Sequence, residues 1–351
     1  MKENKGIILV LVCVFAFIFN ATNVFSQESY YVRSGAVGSG SGTDWDNAFV
    51  DLPTTLVRGA TYYVAGGEYF PYTFDDDIDG EKYIRVQKAV LSDHGTDVGW
   101  SDEYGESVAY WSCDGCADYS KIFYIKTSYI IFDGVTGGGP NEWTSSHGFE
   151  LLSSKNIFFI YIGNSSTEVQ NIEIKHVAMG SPNPPVAGIG TATYIRPAAP
   201  GKSNIVFSHC YIHDIGDSMN PWYDDVSAVT FEYNCIARNA TSPGSHGAGM
   251  EFSDVSNVHI RYNLFIDITG TGVIGIYNSD DGILEDVYVY GNIFQNTPDF
   301  IPPAGWNGVV YCTSGSGGVQ RNIKVYNNTF YNISPPSILL NSKTQDGHEA
   351  L

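Results

Sequence analysis

The sequence predicts an all-β solenoid, a stack of coiled strands, on two observations: a strand motif that returns through the second half of the chain, and an asparagine at the same place in each copy. The copies read Val229-Thr-Phe-Glu-Tyr-Asn234, Val258-His-Ile-Arg-Tyr-Asn263, Val287-Tyr-Val-Tyr-Gly-Asn292 and Ile323-Lys-Val-Tyr-Asn-Asn328. Apolar residues at the first and third places, and again at the eighth (Ile236, Phe265, Phe294, Phe330), describe strands with one buried face. The copies are 29, 29 and 36 residues apart, too short for a βαβ unit with its loops at every step and suited to one turn of a solenoid. Identical asparagines one strand spacing apart, about 4.8 Å, bond each other through amide donors and acceptors, which makes an asparagine ladder. Earlier copies carry Cys210, Val177 and Val135 at that place, so the ladder begins late.

The elements follow in order. Residues 1–26 read as an export signal: Lys2 and Lys5 precede an apolar run from Ile7 to Phe19, and Val24-Phe25-Ser26 suits a signal peptidase cutting before Gln27. That run falls short of the roughly 20 residues of a membrane span, so a protein outside the cytoplasm without a membrane span is expected. Residues 27–119 read as an N-terminal cap with the first coils, and 120–334 as regular coils. Residues 335–351 carry no further strand motif and read as a tail or cap. Insertions at 136–147, 180–203, 214–226, 239–248 and 296–308 are rich in Gly, Pro, Asn and Asp and read as wall loops, where a rigid solenoid places binding.

The chain has 18 basic and 38 acidic residues. Phosphate binding needs clustered Lys and Arg, so nucleic acid is excluded as a partner; a polysaccharide and a monomeric state are expected. Aromatic residues make up 14% of the chain, with 24 Tyr, and such rings suit sugar faces as well as strands. Of six cysteines, Cys13 leaves with the signal, and an odd five remain. Cys113-Asp-Gly-Cys116 fits a small disulfide loop, two free thiols, or a metal or redox pair. Asp75-Asp-Asp77-Ile-Asp79-Gly80 resembles the start of a Ca²⁺ loop, although Val86 stands where a closing Glu belongs; an acidic turn is the other reading. Cofactors are therefore expected to be none or Ca²⁺.

The repeats, the opening Tyr30-Tyr-Val-Arg-Ser-Gly with Thr43-Asp-Trp-Asp-Asn-Ala-Phe, and the coil phrase Tyr211-Ile-His-Asp-Ile-Gly resemble secreted bacterial right-handed parallel β-helix proteins of the pectate-lyase-like superfamily. The resemblance implies that fold for nearly the whole mature chain. It implies carbohydrate chemistry less specifically, because the superfamily spans lyases, hydrolases, epimerases, esterases and binding proteins.

In the resembling enzymes the strand before each ladder strand lines the substrate groove. Here that placement would set Glu150, Glu251, Tyr277 and Tyr311 outward on one face, with Arg196, Trp222 and Asp224 beside them. The phrases His147-Gly-Phe-Glu150 and His246-Gly-Ala-Gly-Met-Glu251 each put a proton-moving His at a loop-to-strand junction with a Glu close behind. Two catalytic readings follow. Asp224, Asp225 and Glu251 could supply the acid and base of a polygalacturonase-like hydrolase. Alternatively, Arg196 or His246 as base and Tyr277 as acid could carry β-elimination on a uronate glycan, with Asp224, Asp225 and Glu251 holding Ca²⁺. A glycan-binding or surface-display solenoid without catalysis is the third reading. His147, Glu150, Trp222, Tyr277 and Tyr311 are the expected substrate contacts.

Overall fold

The computed structural model describes residues 28–163, 168–181, 191–195, 203–220, 226–239, 248–278, 282–301, 308–314, 318–333, 338–341 and 349–350. Among them the chain winds as a parallel β-helix with three sheets of eleven, nine and nine strands, and every pairing between coils is parallel. One coil shows the plan: Ser256–Arg261 lies in the eleven-stranded ladder sheet, Leu264–Ile266 in a second sheet, and Ile274–Asn278 in a third, before Ile283–Tyr290 returns to the ladder sheet one coil on. Alternate residues point inward, so Val258, Ile260, Phe265, Ile274 and Ile276 join one apolar core that runs the length of the stack. In-register pairing stacks like on like, as in Phe207 on Phe231 and Phe265 on Phe294.

The corner between the ladder sheet and the second sheet explains the recurring motif. One residue in left-handed backbone makes the bend: His176, His209, Tyr233 and Tyr262 have φ near 55–56°, and Gly291 takes the place at 67°. A side chain there costs about 1–2 kcal/mol, and stacking offsets part of that cost, with His176 on His209, His209 on Tyr233 and Tyr233 on Tyr262 at 4.9 to 5.3 Å. The next residue is the ladder position. Asn263 is 1% exposed; its Nδ2 donates to the Phe231 carbonyl and to Asn292 Oδ1, while its Oδ1 accepts from the backbone N–H and Nδ2 of Asn234. The ladder runs from Asn234 to Asn328, and Cys210 receives its first rung through its backbone N–H. Glu232 and Arg261 meet outside the same strands at 2.7 Å, as their shared register implies; such a half-exposed pair is worth only ~0.2–1 kcal/mol.

Two features differ from the sequence reading. The stack does not end at residue 334: Ile338–Asn341 extends the third sheet and Glu349–Ala350 the ladder sheet. The strand or turn positions of Cys210, Cys235 and Cys312 predict all three inside the coils; Cys210 and Cys312 do belong to the inner core, but Cys235 packs on the outer side of the second sheet with Leu264 and Trp143, because its strand places Ile236 inward. For the Asp75–Asp79 segment, the acidic turn is the reading that fits the contacts. Asp75 pairs with Lys126, Asp79 pairs with Lys82, and the Asp77 carbonyl accepts from Arg58. Among the described residues no three His, Cys, Asp or Glu groups gather at metal-binding distance. Cys113 and Cys116 are joined by a disulfide.

Candidate functional site

A cleft of about 680 Å³ lies on the outer face of the second sheet, bounded on one side by the loop before Phe149–Leu152. Its floor comes from three successive coils. Glu150 pairs across to Ala178 and Ala178 to Tyr211, while Leu152 pairs to Gly180 and Gly180 to His213. The middle strand thus contributes Ala178 and Gly180 to the outer face, with Ser181 just beyond it, which leaves a depression between Glu150 and the Tyr211–His213 pair. The loop stays close because Gly137, Gly138 and Gly139 adopt φ of 76–84°, and a Cβ on Gly138 would sit 2.1 Å from the His209 carbonyl oxygen. This brings Thr144, Ser145 and Ser146 to the rim.

At the far end Asp214 and Arg238 occupy equivalent left-handed corners on adjacent coils, with φ of 56° and 53°. Strand pairing therefore sets their side chains one above the other. Arg238 Nε and Nη2 donate to the two Asp214 carboxylate oxygens at 2.8 and 2.6 Å, and Nη2 also donates to the Tyr211 hydroxyl at 2.7 Å. His213 Nδ1 lies 2.7 Å from the second Asp214 oxygen, which orients the ring so that Nε2 remains for other chemistry. The His213 and Tyr211 rings stack with centroids 4.1 Å apart.

The electrostatics separate the roles. Burial pushes the Asp214 carboxyl up, but the bonds from His213 and Arg238 outweigh it and hold the group at about 2. Burial raises the Glu150 carboxyl above its ordinary range, with His213 pulling the other way. Burial likewise raises the Tyr211 hydroxyl, opposed by the bond from Arg238. The site therefore offers an oriented imidazole, a locked carboxylate, a cation, a phenol and a second carboxyl group that burial pushes upward.

Gly180 is the position where small size matters most. A Cβ there would lie 2.6 Å from both Cε1 and Nε2 of His213 and 2.7 Å from the His213 carbonyl oxygen. Gly180→Ala is expected to displace the imidazole from its place over the middle coil. A shift of the His213 ring resonances, beside a circular-dichroism spectrum that matches wild type, would check this.

His147 closes the inner side. It is 4% exposed, its Nε2 donates to the His209 carbonyl at 3.2 Å, and burial holds its imidazole down at about 4. The unfolded chain takes up that proton near its ordinary value of 6.5, whereas the folded protein refuses it until about 4. Stability is therefore lost as pH falls from about 6.5 to 4, by at most about 3 kcal/mol from this group. Melting temperatures of wild type and His147→Gln across that interval should show the shallower slope in the variant.

The expected groove residues divide. Glu150 and His147 line the cleft. Glu251, Tyr277 and Tyr311 lie on the third sheet instead, so the single face expected for Glu150 with Glu251 does not exist. Those three do come together: Tyr277 donates to Glu251 at 3.0 Å, and the Tyr311 ring lies over Gly272 and Gly275. Glu251 and Tyr311 are 2% and 4% exposed, a buried packing and not an open groove. Arg196, Trp222, Asp224, Asp225 and His246 lie outside the described residues. Tyr211, His213, Asp214 and Arg238 were not among the expected site residues. The signal for three of them was present in the coil phrase Tyr211-Ile-His-Asp-Ile-Gly.

Parallel coils, a continuous inner core and an asparagine ladder define the class as a parallel β-helix protein. Residues 150–330, just over half of the chain, match the family described as right handed beta helix region, and the chain belongs to that family. No curated protein matches the sequence significantly. Among the described residues no helix is long and apolar enough to cross a membrane.

Proposed function

We propose that the protein binds a polysaccharide along the second-sheet cleft and cleaves it by β-elimination at a uronate residue. The observation that carries this reading is the His213–Asp214–Arg238–Tyr211 network, which sets a base and an acid side by side. In the proposed step His213 Nε2 takes the proton from the carbon next to the uronate carboxylate. The electron pair forms a carbon–carbon double bond, the bond to the glycosidic oxygen breaks, and that oxygen takes the Tyr211 proton. Because the Tyr211 oxygen accepts from Arg238, its own proton is free to be donated, and the same bond stabilises the phenolate left behind. Exchange with solvent returns both groups to their starting forms.

Hydrolysis fits the cleft less well. It needs two carboxyl groups with opposite tasks, and Asp214, bonded by both His213 and Arg238, is not free to act as nucleophile or base. The Cys113–Cys116 disulfide supports action outside the cytoplasm, in keeping with the export signal expected over residues 1–26.

The test is incubation of the mature protein with pectic, alginate, glycosaminoglycan and neutral polysaccharides. Reducing ends and the ultraviolet absorbance of the new double bond are followed together. Absorbance and reducing ends rising together on a uronate polymer support elimination. Reducing ends without absorbance favour hydrolysis, and binding without either favours a non-catalytic solenoid.

A further inference from the structure

Lys88 ends the ladder-sheet strand Ile84–Lys88 and is 1% exposed, among the most completely buried large side chains of the protein. Its ammonium donates to the carbonyls of Ala89 at 2.6 Å, Tyr104 at 2.9 Å and Gly105 at 3.4 Å. The first two bonds are well formed, but the third is long at 3.4 Å, so one N–H is only weakly held, and the carbonyls supply no counter-charge. Among the described residues no carboxylate pairs with it, and burial alone moves it, downward to about 8. Buried charges are ordinarily paired, because an uncompensated one loses several kcal/mol of hydration.

Beside this ammonium is a hollow of about 280 Å³, lined by Lys88, Gly105, Ser107, Thr136, Ser146 and His147 among others. Ser146 and His147 also line the main cleft, so the two spaces adjoin. At about 30 Å³ per water the hollow has room for a small anion with its solvent, and the Ser and Thr hydroxyls add donors to the ammonium. The remaining titratable groups do not supply the missing charge. His147 stays neutral above about 4. Glu106 lines the same hollow but has no ion pair with Lys88, and Asp133, on the adjoining strand, is taken by His176 and Lys175.

We propose that this hollow is an anion subsite, in which Lys88 receives a carboxylate or sulfate substituent of the glycan held in the cleft. The inference rests on the glycan reading above and deepens it, because it makes an acidic substituent part of recognition at a point separate from the reacting groups.

The experiment follows the ε-carbon resonance of Lys88 through a pH titration of the intact protein, with glucuronate, sulfated glucose or glucose as probe and the His213 ring resonances recorded in parallel. An anion against the ammonium must raise the Lys88 titration point; one unit corresponds to tenfold tighter binding to the charged form. The expected result is a rise of about one unit or more with glucuronate, with sulfated glucose or with both, and none with glucose. Lys88→Met should lose its preference for the acidic probes, and Lys88→Arg should keep it. If glucuronate moves the His213 resonances while Lys88 titrates unchanged with every probe, the cleft reading stands and the anion subsite is overturned. If no probe moves His213 or Lys88, both fall together.

Discussion

Replacing His213 with alanine is expected to remove cleavage activity by about 10²- to 10⁴-fold, the usual worth of a positioned proton-transfer group, while the fold survives. The residue points outward from the second sheet, half-buried, and no inner core contact depends on it. Tyr211→Phe should cost a similar factor, because the ring stays to stack on His213 while the donated proton is lost. The two variants are told apart by substrate. A glycoside with a good leaving group needs little help from an acid, so it should restore much of the rate to Tyr211→Phe and none to His213→Ala. Asp214→Asn should keep the ion-pair geometry in part but lose the charge that orients the imidazole, giving an intermediate loss.

The second large effect is structural. Asn263→Ala is expected to destabilise the protein by about 3–5 kcal/mol, a large share of the roughly 5–15 kcal/mol that holds a typical domain together. The side chain serves four groups at once. Without it the backbone N–H and Nδ2 of Asn234 lose their acceptor, and the Phe231 carbonyl and Asn292 Oδ1 lose a donor. Asn292 Oδ1 still accepts from the backbone N–H of residue 263, so the other three groups are the stranded ones; each costs about 1–3 kcal/mol, and partial relaxation keeps the total below their sum. Asn328→Ala should cost less, since its position at the late end of the ladder is only part-buried. Denaturant unfolding of both variants beside wild type measures the difference.

The fold was readable because a solenoid repeats its own instructions. The spacing of Asn234, Asn263, Asn292 and Asn328 carries the coil length, and alternation in each copy carries the buried face. The site was less readable for a geometric reason. Arg238 reaches Asp214 only because Ala237 pairs with His213 one coil earlier, a register that variable loops hide. The phrases around Glu150 and Glu251 look alike in sequence, yet one enters the second sheet and the other the third. Local residue order does not say which sheet a strand enters. Lys88 was not singled out in the sequence, because its burial comes from segments distant in the chain: the short helix Asp102–Glu106 and the loop near His147 fold over it.

The central claim, elimination in the second-sheet cleft, is tested most directly by running the reaction on a uronate polymer in heavy-oxygen water and weighing the products. The account predicts unsaturated products without solvent oxygen, formed by wild type and absent with His213→Ala. Solvent oxygen in every new reducing end, or cleavage that persists undiminished in His213→Ala, would contradict it.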